Sequence, residues 1–169
     1  MKKMSFLLIV FFTVTLSVHS QDFSNITSLE KMGKYAFNIL KNLDKTSEKE
    51  FKNSFLSLAK IKMYVNIKQD YTKNETRDDI NKIATETFNQ KIIEEYTSLK
   101  EKGKEFNIEW NAIEYLDYTY SQKTKDGFTV VRGKLIFKHK ENKYQVIASA
   151  FFVDNVYKPL IIRRLREKN

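Results

Sequence analysis

The chain runs to 169 residues with 30 Lys+Arg against 21 Asp+Glu, a formal charge of +9, and with no cysteine, one proline and four glycines. Without cysteine there is no disulfide staple, thiolate metal site, Cys nucleophile or lipid-modified amino-terminal Cys. An apolar fraction of 41% with 14% aromatic residues excludes a disordered chain, and the length suits one domain around one core.

The first feature in chain order is an address. Lys2 and Lys3 precede an apolar run from Phe6 to Phe12 and a stretch ending Val18-His19-Ser20. A positive start, a short apolar core and small residues at −3 and −1 predict a secretory signal peptide over residues 1–20, cleaved before Gln21. Thr13, Thr15 and Ser17 interrupt the apolar core, which is too short for a span needing about 20 apolar residues. The mature chain, 21–169, is therefore expected to be secreted or periplasmic, with no transmembrane segment. Loss of Lys2 and Lys3 lowers its charge to +7 and leaves His139 as its one histidine.

Ile26, Leu29, Met32, Ala36, Leu40 and Leu43 recur at three- and four-residue spacing and predict a first helix over 26–43. Ser47-Glu48-Lys49-Glu50 is a capping box that opens a second helix, with the stripe Phe51, Phe55, Leu58 and Val65. Asp70 to Asn74 reads as a loop. A third helix starts near Thr76, where Asp78 and Asp79 suit the positive end of the helix dipole. Its apolar line is Ile80, Ala84, Phe88, Ile92, Tyr96 and Leu99, and Gly103 is the expected stop.

After Phe106 the period shortens to about two, and aromatic and β-branched residues concentrate. Strands are predicted over Trp110–Tyr120, Phe128–His139, Tyr144–Val153 and Leu160–Arg166. Their connections are Asp126-Gly127, Glu141-Asn142-Lys143 and the segment from Asp154 to Pro159. Three short connections in a row require an antiparallel meander, and Pro159 suits an edge strand. The fold class is α+β: about three N-terminal helices packed on a four-stranded antiparallel sheet, in a single domain with a basic C-terminal end.

Long helices followed by an aromatic-rich meander resemble the nuclear-transport-factor-2-like and cystatin-like α+β superfamily. The stretches Leu40-Lys41-Asn42-Leu43-Asp44, Glu50-Phe51-Lys52 and Asn107-Ile108-Glu109-Trp110 are also similar to small secreted proteins of Bacteroidetes-type bacteria. The resemblance implies a curved sheet wrapping a long helix around a conical pocket. One departure is that the short strand usual between the second and third helices is missing, because Met63-Tyr64-Val65-Asn66-Ile67 reads as the end of helix two.

One histidine, no cysteine and scattered glycines at 33, 103, 127 and 133 leave no triad, zinc set or phosphate-binding loop, and no Asp-x-Asp-x-Asn-Gly loop appears. No metal and no cofactor are expected. Along the first strand Ile108, Trp110, Ala112, Leu116, Tyr118 and Tyr120 form the more apolar face, expected to meet the helices. Glu114 shares their parity, and a carboxylate in an apolar pocket has a raised pKa suited to a general base. Trp110, Glu114, Tyr118 and Tyr96 form the candidate ligand-binding set, placed between the third helix and the concave face of the sheet. The competing reading has Glu114 solvated and the tyrosines packing as ordinary strand residues.

Residues 158–169 hold Lys158, Arg163, Arg164, Arg166 and Lys168 against Glu167 alone. Arg163, Arg164, Arg166 and Lys168 are the candidate polyanion site, for anionic head groups or wall polymers of an envelope surface. A secreted address without a recognition motif argues against nucleic acid. The alternative is that these charges guard an edge strand against aggregation. The expected function is a secreted or periplasmic, non-catalytic binding or accessory module for a small ligand or protein partner. Two alternatives stand beside it: an isomerase- or dehydratase-type pocket enzyme with Glu114 or Asp117 as base and Tyr118 as hydrogen-bond donor, and a peripheral envelope protein.

Overall fold

The computed structural model describes residues 22–67, 75–125 and 127–168. The predicted signal peptide over 1–20, the predicted loop at 70–74 and Asp126 of the predicted first hairpin turn lie outside the described residues. The elements are α1 (Leu29–Lys41), α2 (Glu48–Asn53), α3 (Leu58–Ile67), α4 (Glu75–Lys82), α5 (Thr85–Glu105), a 3-10 turn (Trp110–Ala112), β1 (Glu114–Lys125), β2 (Phe128–His139), β3 (Asn142–Val153) and β4 (Val156–Glu167). The class is α+β, and the strands form one antiparallel sheet in the order β1-β2-β3-β4.

Three helices were expected, and the described residues hold five. The predicted second helix divides: α2 ends at Asn53 and α3 starts at Leu58, with Phe55 and Leu56 both buried in the turn between them. The chain turns between α2 and α3, and the Leu56 N–H donates to the Pro159 carbonyl at 2.7 Å, tying the turn to β4. Its start is as expected: Ser47 and Glu50 form the reciprocal capping box, and the Ser47 N–H donates to Glu50 Oε2 at 2.8 Å. The predicted third helix breaks at Ile83-Ala84. There Lys62 of α3 reaches across and its Nζ donates to the carbonyls of Asn81 (3.0 Å) and Ile83 (2.8 Å), groups a helix end leaves unpaired.

Helix α1 starts at Ser28, whose Oγ accepts the Lys31 N–H at 3.2 Å, and buries Met32, Ala36 and Leu40. It lies across the sheet and touches all four strands, while α5 packs along β4. Gly103 does not stop α5. The helix runs through it to Glu105, and the indole of Trp110 packs on this residue, where a Cβ would stand 2.6 Å from Trp110 Cζ2.

Two of the strand connections tighten to two residues. Lys140-Glu141 joins β2 to β3 with Lys140 at φ 55°, and Asp154-Asn155 joins β3 to β4 with both residues at positive φ, as a type I′ turn requires. Pairing carries one side-chain face into the core through the rows Tyr118–Leu135–Val146 and Gly133–Ala148–Ile162. The first strand begins at Glu114, four residues later than expected, since Trp110–Ala112 closes into the 3-10 turn.

Candidate ligand-binding site

The four residues expected to form a ligand pocket are placed apart. Trp110 is 2% exposed and packs on Gly103 and Phe137. Tyr96 is half-buried on α5, and its hydroxyl donates to the Thr46 carbonyl at 2.8 Å. Tyr118 is buried against the sheet, where its hydroxyl donates to the Ala148 carbonyl at 3.2 Å and burial pushes its pKa upward. Glu114 is exposed at the start of β1.

The parity expected to bring Glu114 inward is broken by a bulge. Glu114 pairs with Lys138 and Tyr115 with Phe137, but Asp117 pairs with Ile136, so Leu116 is an extra residue on β1. Tyr115 and Tyr118 therefore share the core face, and Glu114 is turned away from it. Leu116 and Tyr120, also expected inside, are 42% and 54% exposed. Asp117 is exposed, and its Oδ1 accepts the Tyr118 N–H at 2.8 Å. His139 is 4% exposed, and its Nε2 accepts the Glu109 N–H at 3.2 Å, a structural contact.

The basic C-terminal residues divide as well. Between Gln145 and Ile147 on β3, strand β4 spends three steps, from Arg166 to Arg163, and the additional residue is Arg164 at φ 60°. A left-handed backbone at a non-glycine residue costs about 1–3 kcal/mol and marks a place where the fold constrains it. By this bulge Arg163 and Arg164 enter different hollows, and Lys168 lines neither.

Both hollows lie where the sheet turns away from its core rows. Cross-strand pairing sets Ser121, Arg132, Ser149 and Ile161 in one row, Thr119, Lys134, Ile147 and Arg163 in the next, and Asp117, Ile136, Gln145 and Arg166 in a third. Neighbouring strands stand about 4.8 Å apart, and same-face residues along a strand about 7 Å apart. At one end a cleft of about 360 Å³ opens between this face and the helices. Its walls are Leu58 and Ile61 of α3, Ile80 of α4, Ile83 beyond it, Phe88 and Ile92 of α5, and Phe128, Val130, Phe151, Leu160 and Ile161 of the sheet. Thr76, Lys91, Ser149 and Arg163 are its polar members. Val130 and Ile83 on its rim are 40% and 37% exposed.

At the other end a trough of about 350 Å³ is lined by Arg132, Lys134, Arg164 and Arg166, with Thr119, Tyr120, Ser121, Gln145 and Ile147. Gln145 is 4% exposed, and its Nε2 has no hydrogen-bond partner among the described residues. The buried Nε of Arg163, in the cleft wall, lacks one in the same sense. No aspartate or glutamate lines either hollow. Among the described residues no set of three His, Cys, Asp or Glu side chains could hold a metal ion, and no helix is long and apolar enough to cross a membrane.

Sequence reasoning missed the cleft because its walls come from segments far apart in the chain. Comparison with protein-family models, curated proteins and solved structures finds no match. The resemblance to the nuclear-transport-factor-2-like and cystatin-like superfamily thus gains no support from them.

Proposed function

We propose that this protein is a non-catalytic binding module, exported through its N-terminal signal peptide, that holds an apolar ligand in the cleft between α3–α5 and the sheet. The observation that carries this reading is the cleft itself: about 360 Å³, open to solvent, with walls apolar apart from four side chains. Its volume lies within the range of about 300–1,000 Å³ common to small-molecule sites. Exposed apolar side chains on the rim, Val130 and Ile83, carry a cost in water that an apolar occupant would relieve. The lack of a carboxylate in either lining favours binding over acid–base chemistry by Glu114 or Asp117.

The test is titration with the uncharged dye N-phenyl-1-naphthylamine. Its fluorescence should rise on binding the natural chain, and Val130→Trp, which fills the cleft from its exposed rim, should weaken binding at least tenfold. No rise, or equal binding by the variant, would remove the reading. Export is checked separately by mass: the mature product should begin at Gln21.

A further inference from the structure

We infer that the occupant of the cleft is an amphiphile carrying a phosphate head group, and that the trough on the same face of the sheet is the site of that head group. This rests on the apolar reading of the cleft and names the chemistry at the other end of its occupant.

The two hollows adjoin. Arg132 of the trough pairs with Ser149 of the cleft, and Ile147 of the trough pairs with Arg163 of the cleft, so one step across to the neighbouring strand leads from one lining to the other. Val130 of the cleft and Arg132 of the trough stand on one face of β2, about 7 Å apart, so an apolar chain seated against Val130 lies within reach of the cations.

The trough is built for a concentrated negative charge. Arg132, Lys134, Arg164 and Arg166 converge on it from β2 and β4, and among the described residues none of them forms an ion pair. Like charges held together in a concave site repel one another until a counter-charge enters. A carboxylate carries one negative charge, and one guanidinium would match it. Four cations without an acid in the lining suit a dianionic phosphate ester, whose oxygens accept several charge-assisted hydrogen bonds. Gln145 supplies the second, independent sign: a donor more than nine-tenths buried in the trough lining and without a partner among the described residues. A buried donor is costly unless something accepts from it. The left-handed backbone at Arg164 adds its guanidinium to this set through a bulge that glycine would occupy with less strain.

The experiment measures displacement of N-phenyl-1-naphthylamine by decyl phosphate and by decanol, both below aggregation, with calorimetry of inorganic phosphate and of long-chain polyphosphate alongside. The natural chain should bind decyl phosphate at least tenfold tighter than decanol. Arg164→Gly should erase that preference while leaving dye and decanol binding unchanged, and its thermal midpoint should rise because the strained backbone is relieved. Arg166→Gln should reduce the preference likewise, and Val130→Trp should weaken decyl phosphate and decanol together. Equal affinity for the two decyl compounds with normal dye binding overturns the head-group inference and leaves the apolar cleft standing. Failure of the dye with retained phosphate binding removes the cleft reading and the amphiphile with it. Polyphosphate binding that Val130→Trp does not change, with decyl phosphate no tighter than inorganic phosphate, assigns the trough to a polyanion and also overturns the inference.

Discussion

Tyr118 lies across Gly133 so closely that a β-carbon at Gly133 would fall within its ring. Tyr118 pairs with Leu135, reaches diagonally over Gly133 on β2, and donates its hydroxyl to Ala148 on β3, so one side chain spans three strands. On its other side stands Gly33 of α1, where a Cβ would be 2.7 Å from the Tyr118 Cβ. Gly133→Ala should therefore destabilise the protein by about 1–3 kcal/mol, the range for overpacking a filled core. In a Tyr118→Ala background the same change should cost far less. Urea midpoints of the two singles and the double give the coupling, and additive effects would show that the ring does not depend on the glycine.

Gly103→Ala sets two effects against each other. Alanine in place of glycine in a helix interior gains about 1 kcal/mol. The new methyl would meet Trp110 at 2.6 Å, inside a helix whose backbone cannot yield freely. The expected result is a lower thermal midpoint. Trp110 is the only tryptophan, so its emission should shift to longer wavelength in the same variant. A stabilised protein with unchanged emission would contradict the packing.

The alkaline limb of stability is set in part by Tyr35. Burial raises its pKa from the ordinary value near 10 to about 12, and its neutral hydroxyl donates to the Ser54 carbonyl at 2.9 Å. The unfolded chain releases this proton near pH 10 and the folded chain near pH 12. Stability due to neutral Tyr35 is therefore complete below pH 10 and is lost as pH rises towards 12. Tyr35→Phe should lose about 1 kcal/mol at neutral pH, with the hydrogen bond, and should show a shallower decline between pH 10 and 12. Unfolding by urea across that window gives both slopes, and parallel slopes would refute the assignment.

His139 anchors the start of the sheet to the end of the helical layer. With its Nε2 accepting from Glu109 at 3.2 Å, His139→Phe would keep the ring volume and leave that N–H without its acceptor. A loss of about 1–3 kcal/mol is expected, the range for orphaning a part-buried donor. Hydrogen exchange at the Glu109 amide should quicken at the same time, and unchanged exchange would show that the contact is not formed in solution.

Patterns confined to neighbouring residues could be read from the chain, and patterns that depend on distant partners could not. The Ser47–Glu50 capping box, the Phe128–His139 strand and the meander order are local, and they stand as expected. The break after α2 was hidden because Phe55 fits the helical stripe, whereas the contact that holds the turn, the Leu56 N–H on the Pro159 carbonyl, comes from a distant strand. The bulge at Leu116 was hidden too, since alternation is counted within a strand whereas a bulge is defined by the partner strand. That single residue moved Glu114 off the core face and dissolved the expected pocket. The bulge at Arg164 did the reverse. It divided a run of basic residues that looked uniform, sending Arg163 to the apolar cleft and Arg164 to the cationic trough. Arg132 and Lys134, distant in sequence from the basic end, join it only through strand pairing.

Helix α1 precedes in the chain all four strands on which it rests. A ribosome makes the helix before its partners, so Met32, Ala36 and Leu40 lack their sheet contacts until the strands have been made. The meander itself closes through two-residue turns and can assemble quickly, leaving the docking of α1 as the long-range step. A polypeptide arranged this way completes the seat of its first helix only after all four strands have been made.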